Sequence, residues 1–224
     1  MDLANRRLGT EISTYTDYGR MLAASRPDVV IVCTVDSTHH TFILGALEAG
    51  CDAIAEKPMT TTAENVRRIL EAERRTGHTV RVSFNARYGA ATERLKGLLG
   101  DGVIGELISV DFAKFLNTSH GADYFRRWHR QKAGSGGLLI HKATHHFDQI
   151  NWWIGSDPET VYAMGDTRFY GPTRQERGER CLTCTHTATC PFYLDLSANE
   201  NLKALYLQAE GEDGYYRDRC GDSA

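Results

Sequence analysis

The sequence lacks a surplus of charge of either sign. Its 224 residues include 26 Lys and Arg against 29 Asp and Glu, which gives a formal net charge of −3 with neutral histidines. Proteins that bind the phosphate backbone of nucleic acids gain affinity from clustered basic residues, which displace counterions from the phosphates. The composition therefore argues against a nucleic-acid partner.

Long apolar runs are also missing. The longest, such as Asp28–Thr34, fall far short of the roughly 20 apolar residues that a membrane-spanning helix requires. The opening residues, MDLANRRLGTEIS, contain no apolar stretch typical of signal peptides, and their acidic residues are unlike those of a transit peptide. We therefore expect no membrane partner and predict a cytoplasmic protein.

Helical and strand-like patterns alternate in the first part of the chain. The unbroken Val and Ile content of Asp28–Thr34 predicts a strand buried on both faces, as in parallel sheets. Caps such as Thr62 and Gly77 mark the ends of helices. The pattern predicts an α/β fold with a doubly wound parallel sheet. The predicted elements are helices at Asp17–Ser25, Thr41–Ala49 and Thr62–Arg75, and strands at Asp28–Thr34, Cys51–Ala55 and Thr79–Phe84.

The pattern changes after residue 88, which predicts two domains, 1–88 and 89–224. In the second, cysteines crowd into a loop at 173–193, and the other segments show helical or strand spacing. The predicted elements are helices at Thr92–Leu99 and Gly136–Trp153, the latter buried, and strands at Glu106–Phe115 and Thr160–Tyr170.

Glu56-Lys57-Pro58 is the sharpest local signal for chemistry. It follows a predicted buried strand and so lies at the carboxyl edge of the sheet, where open α/β folds bind ligands. A lysine there can hydrogen-bond a substrate hydroxyl and relay its proton, and Pro58 restricts the turn that aims it. The alternative is a solvated surface lysine.

A second signal is the run from His141 to Asp148. On one helix, His141 and His145 lie one turn apart, and Asp148 follows three residues later on the same face. Two imidazoles and a carboxylate could transfer a proton at neutral pH or bind a divalent metal. The alternative is that some of these histidines are hydrogen-bonded in the core.

Three cysteines within ten residues form a third signal. Cys181 and Cys184 have the spacing that binds one tetrahedral zinc from a tight turn, and Cys190 with Cys220 or His186 could complete four ligands. A zinc ion with four protein ligands has no open position for substrate, so such a site would be structural. The alternatives are a reduced surface loop and a redox-active pair.

Four separated segments together resemble the Gfo/Idh/MocA family, the glucose-fructose oxidoreductase and inositol dehydrogenase type. They are Asp28–Pro58, Phe84–Tyr88, Val103–Glu106 and Gly136–Asp148, in the family's order. The resemblance implies a Rossmann domain followed by an α+β substrate domain with a mostly antiparallel sheet. It also implies NAD or NADP as cofactor, oxidation of a secondary alcohol of a sugar or cyclitol, and, for the intact protein, a homo-oligomer.

The resemblance carries roles to individual residues. Lys57 matches the family's catalytic lysine and His145 its substrate-contacting histidine, while His141 stands where the family commonly has an aspartate. Whether His141, Lys142 or a water relays the proton stays open. The implied cofactor-binding residues are Asp2, Thr34, His39, Glu56, Lys57, Pro58 and Asn85, and the predicted substrate residues are Arg127, His129, Lys142, His146 and Asp148.

One family feature is missing from the sequence. No Gly-x-Gly-x-x-Gly follows a predicted strand, and Asp2 resembles the acidic residue that ends the family's second strand and binds the adenosine ribose. We therefore expect a fragment, truncated at both ends, that binds NAD(H) weakly or not at all. Two rival interpretations are an NAD-dependent lyase or glycosidase of the same superfamily and a non-catalytic interaction module.

Overall fold

The computed structural model describes residues 5, 9–117, 122–125, 128–170, 173–176, 178, 184–191, 193, 195 and 200. The chain divides into two compact units, Met1–Asn85 and Ala86–Ala224. The predicted domain boundary between residues 88 and 89 stays a prediction. Within the described ranges, no helix is both long and apolar enough to cross a membrane.

A parallel sheet forms the centre of the first unit. Its three strands are hydrogen-bonded in the order β1-β2-β3, with Val30 opposite Ala53 and Ala53 opposite Val80. This confirms the predicted parallel α/β architecture. The elements are helix α1 (Tyr18–Ser25), strand β1 (Val29–Val32), helix α2 (His39–Glu48), strand β2 (Asp52–Glu56), helix α3 (Ala63–Thr76) and strand β3 (Val80–Ser83).

Side-chain caps fix where α1 and α3 begin. The Asp17 carboxylate accepts a hydrogen bond from the Arg20 amide at 2.7 Å, and the Thr62 hydroxyl accepts one from the Asn65 amide at 3.2 Å. Each bond satisfies an amide that has no partner inside its helix. Helix α3 ends at Gly77, whose φ of 76° is left-handed. These local signals explain why the predicted ends of α1 and α3 agree with the structure within one residue, whereas α2, predicted from Thr41, begins at His39.

The core of this unit lies on one face of the sheet. Helix α2 packs against β1 and β2, and α3 packs against α2. Ile43 of α2 and Ile69 of α3 are 0% exposed. The remaining buried apolar residues of the core are Val30, Val32, Ala46, Leu47, Cys51, Ala53, Ala55 and Ala72.

The expectation that β1 is buried on both faces is wrong. Val30 and Val32 are 8% and 2% exposed, whereas Val29 and Ile31 are 43% and 68% exposed. The helix between β1 and β2 and the helix between β2 and β3 lie on the same face, as right-handed crossovers require. Among the described residues, nothing covers the opposite face at Ile31.

Ile43→Ala should lower the free energy of unfolding by about 3 kcal/mol, because it leaves a cavity at a position that is 0% exposed. Ile31→Ala is the matched control: this side chain is 68% exposed, so we expect a change within about 0.5 kcal/mol. Chemical denaturation of both variants measures the difference. Equal losses would contradict the one-sided core.

The second unit is built around two packed helices, α4 and α7. The Trp153 indole donates to the Thr92 carbonyl at 3.2 Å, and the Lys96 ammonium donates to the Trp153 carbonyl at 3.3 Å. The helices of this unit are α4 (Ala90–Gly100), α5 (Lys132–Ser135), α6 (Leu138–His141) and α7 (Thr144–Ile154), and short 3-10 turns cover Ala122–Phe125 and Trp128–Arg130.

Two predicted strands of this unit, Glu106–Phe115 and Thr160–Tyr170, are not strands in the structure. Their apolar side chains are largely exposed: Ile108 is 85%, Tyr162 84% and Met164 86% exposed. A strand needs a hydrogen-bonded neighbour as well as a suitable side-chain pattern, and neither segment has one among the described residues. The mostly antiparallel sheet expected here stays a prediction.

The predicted buried helix Gly136–Trp153 is broken. The amides of Lys142 and Ala143 both donate to the Leu138 carbonyl, which ends α6, and α7 begins at Thr144. Its residues are mostly half-buried rather than buried. As a consequence, His141 and His145 belong to different helices and do not form the single stripe that the sequence predicted.

Candidate functional site

The carboxyl ends of β1 and β2 lie side by side in the first unit. The strands are parallel, with Val32 opposite Ala55, so the loop containing Thr34 and the loop containing Lys57 leave the sheet at the same edge. Glu56 is opposite Ser83 of β3, which makes β2 the middle of the three described strands. This edge is where parallel sheets bind ligands, as predicted for Lys57.

A buried histidine ties these two loops together. The His39 ring approaches the Pro58 carbonyl through Nδ1 and the Thr34 carbonyl through Nε2, each at 2.8 Å. Because His39 is 1% exposed and both ring nitrogens face protein carbonyls, we assign it the positioning of the backbone on either side of the ligand edge. Its contact with the nucleotide stays a prediction.

The other predicted cofactor residues that the structure describes lie at or beyond the same edge. Thr34 is exposed and within hydrogen-bond distance of the Thr38 hydroxyl, at 2.9 Å. Pro58 is buried, and the Lys57–Pro58 peptide bond is cis. Asn85 is exposed and follows β3. Asp2 lies outside the described residues.

In the second unit, Asp148 is paired with Arg87. The guanidinium donates to both carboxylate oxygens, from Nε at 2.8 Å and from the terminal nitrogen at 2.5 Å. The Asp148 side chain is 7% exposed, and this carboxylate raises the pKa of Arg87 above its ordinary value. The bidentate pair anchors α7. The contact of Asp148 with substrate stays a prediction.

Arg87 is a residue that the sequence reasoning missed. It lies within the motif Phe84–Tyr88, of which only Asn85 was given a role. Its guanidinium also lies 5.6 Å from the centre of the Trp152 ring. Gln149 adds a hydrogen bond to the Ala86 carbonyl at 3.2 Å. Together these contacts fix α7, and with it His145, to the chain segment that follows Asn85.

His141 lies among three other rings. Tyr124, Trp128 and His129 approach its imidazole with centroid separations of 5.6, 5.5 and 5.0 Å, all edge to face. His129 is 9% exposed, so little of its surface remains for the predicted contact with substrate. The Lys142 ammonium lies 5.5 Å from the Tyr124 ring centre. Arg127, the remaining predicted substrate residue, lies outside the described residues.

Both halves of the chain match models of one family. Residues 4–84 match its NAD-binding Rossmann-fold domain, and residues 96–198 match its C-terminal alpha/beta domain. The chain belongs to the Gfo/Idh/MocA oxidoreductase family. The resemblance inferred from the four sequence segments is thereby confirmed.

Individual members of the Gfo/Idh/MocA family are moderately similar. The putative oxidoreductase YteT of Bacillus subtilis (strain 168) is 40% identical over 208 residues, which is 89% of this chain and 49% of YteT. This chain thus spans about half the length of the curated relatives it matches.

Solved structures of this family are also similar to the chain. A putative myo-inositol dehydrogenase from Sinorhizobium meliloti 1021 is 27% identical, with a TM-score of 0.54 over 70% of this chain and 45% of that one. A levoglucosan dehydrogenase in complex with NADH and levoglucosan is 29% identical, with a TM-score of 0.57 over 68% of this chain and 41% of that one.

The cysteine loop is described only in part. Cys184 accepts hydrogen bonds at its sulfur from the amides of Gly178 and His186, at 3.2 and 3.4 Å, and Cys190 accepts one from Arg174 at 3.2 Å. Cys181 and Cys220 lie outside the described residues. Within the described part of the chain, no three His, Cys, Asp or Glu side chains are grouped to bind a metal. The zinc site stays a prediction.

His146, a predicted substrate residue, packs against Phe112 with a centroid separation of 5.5 Å. Burial lowers its pKa below the ordinary 6.5, and the charges of Lys114 and Lys142 act in the same direction. All three effects disfavour the imidazolium. The neutral form of the His146 ring is therefore favoured, and its contact with substrate stays a prediction.

Lowering the pH from about 7.5 to about 5.5 should reduce the free energy of unfolding of the His146→Gln variant by less than that of the unaltered protein. The pKa of His146 is lower in the folded than in the unfolded chain, so below pH 6.5 the unfolded chain takes up a proton at this histidine first. The contribution of the neutral His146 to folding stability is therefore present above pH 6.5 and is lost as the pH falls through the pKa of His146 in the folded chain. Denaturation curves across this range test it, and parallel pH profiles would contradict it.

Proposed function

We propose that the protein carrying this chain is a nicotinamide-dependent dehydrogenase that oxidises a secondary alcohol of a sugar or cyclitol. The observation that carries the proposal is the position of Lys57. It directly follows β2, the middle of the three described strands, in the part of the chain that matches an NAD-binding Rossmann-fold domain. A lysine at that edge can meet a hydroxyl group beside a nicotinamide.

The residues at this edge fit the nicotinamide side of such a cofactor. Thr34 and Asn85 offer polar side chains that are exposed at the ends of β1 and β3, and Glu56 is exposed at the end of β2. Amide and hydroxyl groups suit a carboxamide and a ribose. A nicotinamide held here would supply the acceptor for the hydride of the carbinol carbon.

Side chains of this chain would transfer the proton and hold the reacting groups in position. In the proposed reaction the neutral amine of Lys57 accepts the proton of the substrate hydroxyl. His145 and His141 are the further catalytic residues, for substrate contact and proton relay respectively. His39 keeps the backbone around Lys57 in place through the Pro58 carbonyl. The pair of Arg87 and Asp148 holds the helix that carries His145.

The substrate class rests on similar proteins of known structure. One structure is of a putative myo-inositol dehydrogenase and another is of an enzyme with levoglucosan bound. A cyclitol and an anhydrosugar share a ring with several secondary hydroxyl groups. We also propose that the protein is a homo-oligomer, on the basis of the family resemblance. We propose a cytoplasmic location on the basis of the sequence.

A turnover assay tests the proposed function. The protein carrying residues 1–224 is incubated with NAD⁺ or NADP⁺ and, in turn, myo-inositol, D-glucosides and levoglucosan, and formation of the reduced cofactor is followed by absorbance. Net reduced cofactor is the expected result. Consumption of substrate without net reduced cofactor would instead indicate a lyase or glycosidase, and neither change with any substrate would overturn the proposal.

A further inference from the structure

Three rings surround the His141 imidazole, and we call Tyr124, Trp128 and His129 the His141 cage. Each meets His141 edge to face, with interplanar angles of 65°, 81° and 67°. Edge-to-face contacts place the positive edge of one ring on the negative face of another, so they favour a particular orientation rather than mere burial. Three such contacts restrict how the His141 ring can turn.

The cage is itself held together. Trp128 stacks on His129 with a centroid separation of 5.4 Å and an angle of 29°, and Tyr124 lies 5.3 Å from His129. His129 thus contacts every other ring of the group. At 9% exposed, its ring is sheltered from solvent, and a ring in such a setting is better placed to support a neighbour than to bind a solute.

The backbone beneath His129 is anchored by a buried serine. Ser135 is 0% exposed, and its hydroxyl donates to the His129 carbonyl at 2.7 Å. The Gly137 amide donates back to the same hydroxyl at 3.1 Å. The 3-10 turn Trp128–Arg130 is therefore attached to the start of α6, the helix that ends at His141.

We propose that the His141 cage fixes the orientation of the His141 imidazole toward the substrate hydroxyl, and that His129 is a positioning residue that acts through ring contact. This inference rests on the proposed function. A base must be held in a productive geometry to be effective, and a small misplacement lowers the rate steeply. Among the described residues, the Lys142 ammonium faces the cage, over Tyr124. His129 is thereby assigned an indirect role in place of the predicted substrate contact.

Two substitutions of His129 separate the possible roles. His129→Phe keeps a ring in contact with His141 and removes both nitrogens, whereas His129→Leu removes the ring. If ring contact positions His141, kcat should fall at least about tenfold in His129→Leu and stay within about threefold in His129→Phe, with KM little changed in both. Phe125→Leu is the control, because that ring stacks on Tyr170 at 4.3 Å, and its kcat should be unchanged.

Equal loss of kcat in His129→Phe and His129→Leu would show that the nitrogens matter and would overturn the positioning role. Unchanged kcat in both variants would overturn it too, even if the melting temperature fell. Nuclear magnetic resonance of the protein without substrate gives an independent readout. The His141 ring signals, assigned with His141→Gln, should be single and sharp in the unaltered protein and in His129→Phe, but shifted or broadened in His129→Leu.

This resonance measurement distinguishes failure of the inference from failure of the proposed function. If no substrate is oxidised but the His141 signals respond as expected, the proposed function fails and the cage still orients the ring. If the His141 signals are the same in His129→Leu as in the unaltered protein, the inference is wrong whatever the enzyme assay shows.

Discussion

Lys57→Met should reduce the rate of cofactor-dependent oxidation by about a thousandfold, the typical contribution of a positioned acid or base. Methionine has a similar length and no amine to accept a proton, so the loop after β2 can keep its conformation while the proton acceptor is lost. His39 holds that loop through the Pro58 backbone carbonyl, which the substitution does not alter. The measurement is kcat for the best substrate of the panel, together with the melting temperature.

Lys132→Met is the matched control for this prediction. Lys132 is an exposed lysine at the start of α5, and it has no role in the proposed reaction, so its replacement should leave kcat unchanged. A Lys57→Met protein that keeps more than a tenth of the activity would exclude Lys57 as the proton acceptor. In a non-catalytic interaction module, partner binding would not depend on this ammonium.

Asp148→Asn should lower the free energy of unfolding by about 2 to 3 kcal/mol, because it weakens a bidentate pair and leaves the Arg87 charge without its carboxylate. The value lies below that of a fully buried pair, since the Arg87 side chain is 35% exposed while that of Asp148 is 7% exposed. Chemical denaturation measures the loss. Because the substitution loosens the helix that carries His145, kcat should also fall.

Asp166→Asn provides the comparison in the same unit. Asp166 pairs with Arg168 at 2.8 Å, but the two side chains are 65% and 87% exposed. Exposed pairs contribute little because water screens both charges, so the expected change is below about 1 kcal/mol. If the two aspartate variants lost the same stability, burial would not distinguish the pairs and the anchoring role of Asp148 would be wrong.

Elements defined by local signals were predictable from the sequence. Helix α3 begins after Thr62 and ends at Gly77, and both caps use side chains or backbone freedom within a few residues of the helix end. The position of Lys57 at the sheet edge followed from the strand before it. In each case the information lies within one turn or one strand of the residue concerned.

Features that depend on distant residues were not predictable. The spacing of His145 and Asp148 on one helix suggested a shared role, but the partner of Asp148 is Arg87, which lies 61 residues away in the sequence. The strands expected at Glu106–Phe115 and Thr160–Tyr170 need neighbours that a one-dimensional pattern does not supply. Likewise, the break at Lys142–Ala143 separates His141 from His145 although their spacing suits one helix.

The double contact of His39 has a consequence for how this fold can diversify. One imidazole reaches the main chain of both the loop after β1 and the loop after β2. A substitution at position 39 would release both loops at once, whereas exposed neighbours such as Thr34 can vary one at a time. New specificities on this scaffold should therefore be sought by changing residues around a retained His39.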